Sequence, residues 1–450
     1  MSELSAGSAR AAINEVAGEF TELSPSGSGP PGRDGPLGWP GYDAAVERAR
    51  QRGGDGESVV YGHATIGGVR TVVLAFDFRY LGGSVGRRTG ERIEHAFTEA
   101  RAHGRPVVSM IASGGSRLQE GMLALTQLQR IAAQCLATRA AGLAHVAVLR
   151  DPTTGGVWAT LGAGADVVLA ESGARVGFAG RRVRPAEDAD HPVFTAEGQV
   201  AAGHVDAIVH TGRLRDVLAG WLVALTGRWQ GPADVPRALG ATALPADGMA
   251  AVLAARSAAR PRAGAYLADY FDTYELISGD RCGGVDPGTL CGFGRRAGRS
   301  IAFAAQAGTP TTPAGFRTAT RLVRLADRLG IPVLTLVDTP GAANGSAAEA
   351  AGLAPAIAGL FAAMSAATVP ITTLVIGEGG SGGALALAAE GRTWITPDAY
   401  FSVIAPEAAA AILGRPAADV ASLANALRLR PQDLVELGVV QGIAGQGGVS

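Results

Sequence analysis

The chain has 450 residues, 47% of them hydrophobic, and a formal net charge of −1. That is enough apolar material for two or three packed domains, without the charge excess that marks a nucleic-acid or anionic-membrane binder. Three cysteines, Cys135, Cys282 and Cys291, make neither a CxxC pair nor an even framework, which argues against a disulfide scaffold and for a reducing compartment, the cytoplasm. No basic-then-apolar leader opens the chain and no apolar stretch approaches the ~20 residues that span a bilayer, so no membrane association is expected. The seven histidines all fall between His63 and His210, with no HExxH and no pair at helical ligand spacing, so no metal is expected.

Residues 1–36, ending in the Gly/Pro-rich run Gly27–Pro36, read as a flexible arm outside the fold. An N-terminal domain then covers 37–233. Alternating segments Ser58–Tyr61 and Thr71–Asp77 predict strands, and Gly90–His103 predicts a helix. The buried strand Val107–Ile111 leads through the turn Ser113–Ser116 into a helix from Gln119 to Arg139. Strand His145–Leu149, turn Asp151–Gly156, a small-residue helix start at Val157–Gly164 and strands Val167–Ala170 and Arg175–Phe178 follow. The Ala/Pro/Arg-rich stretch 234–264 reads as a linker, and 265–450 as a second domain. In that domain helix Gly315–Leu329, strand Val333–Val337, turn Asp338–Gly341, helix Leu353–Ala366, strand Ile371–Ile376 and the glycine run Gly377–Gly383 repeat the plan. Strands alternating with helices of this length predict an α/β fold with right-handed crossovers.

The repetition is countable. Gly114 and the pair Gly155-Gly156 map onto Gly341 and the pair Gly382-Gly383, each 227 positions apart. A unit this long, used twice, fits two homologous domains rather than a solenoid. Glycine pairs after apolar runs let backbone N–H groups approach a developing negative charge, so two pairs point to two oxyanions. Ser113-Gly114-Gly115 could seat a phosphate or carbonyl, or Ser113 could simply cap a helix. Arg117 could contact a ligand or be paired, and Glu120 is expected to face solvent or pair along its helix. The run Gly377–Gly382 also matches GxGxxG after a strand, a weak sign of dinucleotide binding that leaves the repeat unexplained.

Several longer motifs carry a more specific signal. Leu81–Gly86, Ala112–Gly121, Asp151–Val157 and Gly177–Gly180 in the first half, with Asp338–Ala342, Gly377–Ala384 and Ser402–Glu407 in the second, resemble the carboxyltransferase component of biotin-dependent acetyl-CoA carboxylase, with the bacterial β and α subunits fused in that order. The resemblance runs from roughly Leu37 to Gly442. It implies two crotonase-like domains, each a ββα superhelix, with the active site where the halves meet. Carboxybiotin on a separate biotin carboxyl carrier protein, itself charged by a biotin carboxylase, would give its carboxyl to acetyl-CoA and yield malonyl-CoA.

By that analogy the N–H groups of Gly155 and Gly156 serve the thioester enolate, and those of Gly383 and Ala384 serve the biotin ureido oxygen. Ser113, Gly114, Gly115, Arg117, Gly341, Gly382 and Ala386 become substrate-binding candidates, with Ala384–Ala386 as a wall that sets acyl size. In relatives the N-half of one chain often faces the C-half of another, which implies at least a homodimer. Two departures stand out. No four-cysteine zinc ribbon occupies the N-terminal stretch, so zinc is not expected. The α-subunit motif Gly-His-Gln-Lys-Gly is replaced by Ala304-Ala305-Gln306-Ala307-Gly308, which keeps a biotin-independent decarboxylase of a malonyl thioester, or a silent subunit, as alternatives.

Overall fold

The computed structural model describes residues 8–24, 32–52 and 56–445. The chain divides into two compact units, Met1–Thr226 and Gly227–Ser450.

In the first unit the strands are β1 (Glu19–Glu22), β2 (Val59–Ile66), β3 (Val69–Phe76), β4 (Val107–Ser113), β5 (His145–Thr154), β6 (Val167–Glu171), β7 (Val176–Gly177) and β8 (Ala207–Val209). Its helices are α1 (Ala9–Val16), α2 (Tyr42–Gln51), α3 (Arg87–Ala102), α4 (Gly121–Leu125), α5 (Gln127–Ala140), α6 (Ala196–Ala201) and α7 (Leu214–Thr226). The sheet runs β1-β2-β3-β4-β5-β6-β8, with β7 paired to the far end of β5. β1, β2 and β3 are antiparallel and the rest parallel.

The second unit repeats this strand for strand: β9 (Thr273–Ile277), β10 (Thr289–Arg296), β11 (Arg299–Gln306), β12 (Val333–Thr339), β13 (Ile371–Gly380), β14 (Thr393–Ile395), β15 (Tyr400–Ser402) and β16 (Gly442–Ile443). The order β9-β10-β11-β12-β13-β14-β16, with β15 on β13, is that of the first sheet. Its helices are α8 (Gly248–Arg256), α9 (Ala263–Tyr270), α10 (Pro313–Leu329), α11 (Ser346–Ala350), α12 (Leu353–Ala366), α13 (Ser381–Leu385), α14 (Pro406–Ile412), α15 (Val420–Ala426) and α16 (Pro431–Glu436). Each unit is thus a mixed α/β domain with a parallel core, the crotonase-like plan.

Local chemistry explains the best-read elements. All seven residues of β4 and of β12 are buried, as expected of central parallel strands covered on both faces. Thr312 caps α10, Pro313 opens it and Gly330 closes it at φ +69, the punctuation that sets helix ends.

Three expectations need correction. Residues 8–24 are not a loose arm: α1 buries Ala9, Ala12, Ile13 and Val16, and β1 pairs with β2, while much of Gly27–Pro36 lies outside the described residues. Residues 234–264 are not a bare linker, since they carry α8 and the buried Arg260 and belong to the second unit. The helix expected from Gln119 to Arg139 starts late, because Gly121 sits at φ +50, outside the helical region, and it is divided at Thr126 into α4 and α5.

Candidate active-site elements

In the first unit β4 and β5 run side by side and end together, with Ser113 opposite Thr153. The chain leaves β4 through Gly115 at φ +106 and leaves β5 through Gly155 at φ +72. The two backbones nearly touch, since a Cβ added at Gly155 would lie 3.0 Å from Gly115 Cα, so neither position admits a side chain. Beyond Gly155 the chain enters a helical segment that passes into the π-helical turn Trp158–Gly162. Gly155 donates its N–H to Phe178 O at 2.9 Å. Gly156 opens the helix, and among the described residues its N–H meets no acceptor, the usual state of a first-turn donor.

The second unit rebuilds this corner. Thr339 stands opposite Gly379, Gly341 leaves β12 at φ +140, and α13 starts at Ser381, held at φ +57. A Cβ on Gly383 would lie 2.4 Å from Ala342 N, so only glycine lets α13 press onto the turn after β12. At α13 the N–H groups of Gly382 and Gly383 fall in the first turn, where the helix itself supplies no acceptor. Gln306, the glutamine kept in the altered Ala304–Gly308 stretch but not assigned a role from sequence, is buried and donates from Nε2 to Gly383 O at 3.1 Å and to Thr311 Oγ1 at 3.1 Å.

A family model described as "Carboxyl transferase domain" matches residues 40–219, and one described as "Acetyl co-enzyme A carboxylase carboxyltransferase-like" matches 246–447. The fused acetyl-coenzyme A carboxylase carboxyl transferase subunits beta/alpha of Salinispora tropica is 40% identical over 427 residues, covering 89% of this chain and 75% of that protein. The chain belongs to the acetyl-CoA carboxylase carboxyltransferase family. A probable biotin-dependent acyl-coenzyme A carboxylase beta3 subunit of Mycobacterium bovis is 34% identical, covering 89% of this chain and 82% of that one. In fold, the chain matches a transcarboxylase 12S crystal structure with a TM-score of 0.78 at 21% identity, over 97% of this chain and 86% of that one. The protein is therefore a transferase that moves a carboxyl group between biotin and an acyl-CoA.

Within this carboxyltransferase the hydrogen bonds correct the repeat by one residue. Val85 N–H meets Gly115 O as Thr311 N–H meets Gly341 O, and Gly115 N–H meets Ser113 Oγ as Gly341 N–H meets Thr339 Oγ1, the latter two at 3.1 Å each. The structural offset is thus 226, not 227: Gly341 answers Gly115, Ser381 answers Gly155, and Gly382 answers Gly156.

Several assigned residues are internally engaged. Gly114 N–H goes to Gly82 O at 2.9 Å, and Ser113 Oγ lies buried on Gly83 O at 2.7 Å. With Gly115 N–H also used, Ser113–Gly115 offers a ligand no free donor and caps no helix; the same holds for the Gly341 N–H. Gly155 likewise drops out as a donor, leaving Gly156. Ala384 and Ala386 are buried and the side chain exposed between them is Leu385, so Ala386 is core rather than wall.

Arg117 is buried, not ligand-facing. It pairs with Glu57 at 2.5 Å and with Glu120 at 3.1 Å, and Glu120, far from solvent, also accepts from Tyr42 Oη at 2.7 Å and Arg87 N–H at 2.6 Å. Burial works against the Glu57 carboxylate, but the Arg117 charge and its hydrogen bonds hold Glu57 below its ordinary value of 4.5. Glu171 pairs with Arg150 at 3.0 Å, and Glu378 pairs with Arg256 at 2.8 Å and accepts from Tyr400 Oη at 2.9 Å. Glu120, Glu171 and Glu378 thus each have a cation beside them. At the altered Ala304–Gly308 stretch the half-exposed Arg262 guanidinium lies against Gly308, 3.2 Å from Asp338 Oδ2, so a cation stands where the motif lacks its lysine.

Proposed function

We propose that this carboxyltransferase takes acetyl-CoA as its acyl substrate and carboxybiotin on a carrier protein as its donor. The observation that carries the reading is the pair of matched helix starts, at Gly156 in one unit and at Gly382–Gly383 in the other, whose first-turn N–H groups find no acceptor within the helix. The C–N bond of the carboxylated ureido group breaks, a C–C bond forms at the acetyl α-carbon, and the α-proton passes to the ureido nitrogen. Negative charge then develops on two oxygens, the thioester carbonyl and the ureido carbonyl. Gly156 N–H serves the first and the N–H groups of Gly383 and Ala384 the second; a well-placed donor of this kind is worth about 3–4 kcal/mol in the transition state. No side-chain base is required, in keeping with the paired state of Glu120, Glu171 and Glu378.

Gln306 is a positioning residue in this scheme. By holding the Gly383 carbonyl it orients the peptide unit whose other end is the Ala384 N–H. Biotin carboxyl carrier protein and biotin carboxylase are the partners the chemistry requires, and the three free cysteines suit the cytoplasm. No helix among the described residues is long and apolar enough to cross a membrane. Large exposed apolar side chains, Leu118, Met122 and Leu136 in the first unit and Val403, Ile412 and Leu413 in the second, support a homodimer or larger homo-oligomer, which light scattering tests; an active monomer would refute it.

The reaction is tested in reverse with malonyl-CoA. Acetyl-CoA that appears only with biotin or a biotinylated carrier, matched by carboxybiotin or bicarbonate, supports the assignment. Acetyl-CoA formed equally well without biotin replaces it with a malonyl-thioester decarboxylase. In the forward direction, kcat/KM for propionyl-CoA well above that for acetyl-CoA would overturn the acyl choice.

A further inference from the structure

Carboxyl transfer leaves one cluster of ligating side chains unused. His95 and Glu99 on α3 and His103 at its C-cap recur every four residues, so the last turns of the helix and its cap bring all three to one side. β2 brings His63 to the same face. His63 Nε2 lies 3.4 Å from Glu99 Oε2, and His103 Nδ1 lies 3.5 Å from the same oxygen. One ligand atom from each of the three residues falls within 4.8 Å of the others. Ligand atoms about 2.0–2.1 Å from a tetrahedral zinc stand roughly 3.4 Å apart, so the two short edges already have the separation such an ion imposes.

The surroundings favour the same use. His63 Nδ1 is buried without a partner, so Nε2 is the nitrogen that faces the carboxylate. His95 stands one shell out, with Nδ1 3.1 Å from Tyr61 Oη and Nε2 3.9 Å from Glu99 Oε1, which leaves Oε2 to the other two. His103 Nδ1 also lies 2.9 Å from Glu99 O, a contact its exposed ring would trade for the cation.

We propose that His63, Glu99 and His103 form a site for a divalent cation of zinc type, its fourth position open to water, which fastens the C-terminal half of α3 to β2. Glu99 lies twelve residues beyond Arg87, the first residue of α3, about 18 Å along the axis, so the cation acts on the stability of the first unit and not on turnover. This holds whichever acyl group the enzyme uses.

The test uses the full chain, stripped with EDTA, dialysed and titrated calorimetrically with zinc chloride, with melting followed in parallel. Expected are one saturable site that Glu99→Gln or His103→Ala weakens more than about tenfold, and a Tm raised by zinc but not by magnesium. Carboxyltransferase activity of the two variants should match the parent's. Glu99→Gln is nearly isosteric and His103 is exposed, so both should fold, which circular dichroism checks. Zinc bound with unchanged affinity by the His63→Ala/Glu99→Gln/His103→Ala variant, or no saturable binding by the parent, overturns the proposal. Binding without a rise in Tm removes the fastening role.

Discussion

The two units share a strand order and an offset of 226 residues, yet they finish the same corner differently. In the first, Phe178 O takes the N–H of Gly155, which leaves Gly156 at the helix start; in the second, Ser381 occupies the matching place and the N–H groups of Gly382 and Gly383 both lie in the first turn of α13. Gln306 braces the second corner, whereas the matching end of β3 is Phe76. The buried charge differs as well: Glu57 depends on Arg117 alone among the cations, while Asp338 has Arg260 at 2.9 Å and Arg262 at 3.2 Å. On the proposed reading one backbone frame supports two anion sites of different breadth, because the frame fixes where a helix starts and the neighbouring side chains and carbonyls decide which of its donors stay open.

The largest expected effect breaks the charge comparison. Arg117→Met strands Glu57 and Glu120 and should cost about 3–5 kcal/mol in urea unfolding, whereas Arg260→Met, which leaves Asp338 with Arg262, should cost visibly less. Equal losses would show that Arg262 gives Asp338 no support.

Next comes the donor in the first unit. Proline fits the first helical position sterically but removes its N–H, and any Cβ at 156 would meet Leu128 Cδ1 at 2.1 Å. Gly156→Pro is therefore made in a Leu128→Ala background, where kcat should fall about 10²–10³-fold relative to Leu128→Ala alone. An unchanged kcat would remove Gly156 from the oxyanion site.

A pH experiment separates the units further. His145 on β5 is fully buried and burial lowers its pKa to about 4, and the matching residue on β13 is Ile371. Between pH 6.5 and 4 the unfolded chain binds a proton that the folded unit refuses, so stability should fall as pH drops through that window, by about 3 kcal/mol in all. His145→Gln should flatten the slope, read from urea midpoints against pH. Glu57 adds its own loss as pH falls through 4.5, where the unfolded carboxyl takes a proton that the folded one, held lower by Arg117, still refuses.

The smallest effect concerns Gln306. Gln306→Met should lower kcat about 10-fold while leaving KM for malonyl-CoA unchanged, the cost of one missing hydrogen bond near 1.4 kcal/mol. Gln306→Glu should recover activity as pH falls, since only the protonated carboxyl can donate to Gly383 O. A pH-independent loss would reduce Gln306 to packing.

Much of the frame was legible because its signals are local. Helix Leu353–Ala366 stands as read, and β4, β5, β12 and β13 begin where their apolar runs begin. Each of these strands extends past its run, since polar residues such as Ser113, Thr153 and Thr339 stay in the ladder by bonding to neighbouring carbonyls. α1 and β1 were missed because a polar N-terminal segment shows little until β2 offers it an edge. Arg117 read as ligand-contacting or paired and Glu120 as solvent-facing or paired along its helix, for no local pattern announces that Glu57 and Tyr42 will close over them.

By itself the sequence determined that this chain is two copies of one α/β unit, that each copy carries glycines at a strand-to-helix corner, and that its motifs are those of a carboxyltransferase. Those properties rest on period, spacing and residue type, which neighbours along the chain already express. Tertiary structure decided the true register of the repeat, the loss of Gly114, Gly115, Gly155 and Gly341 as donors, the bracing by Gln306 and the meeting of His63 with Glu99 and His103. Each depends on a partner far away in sequence, and whether a donor is open or spent is a property of the acceptor that folding brings to it.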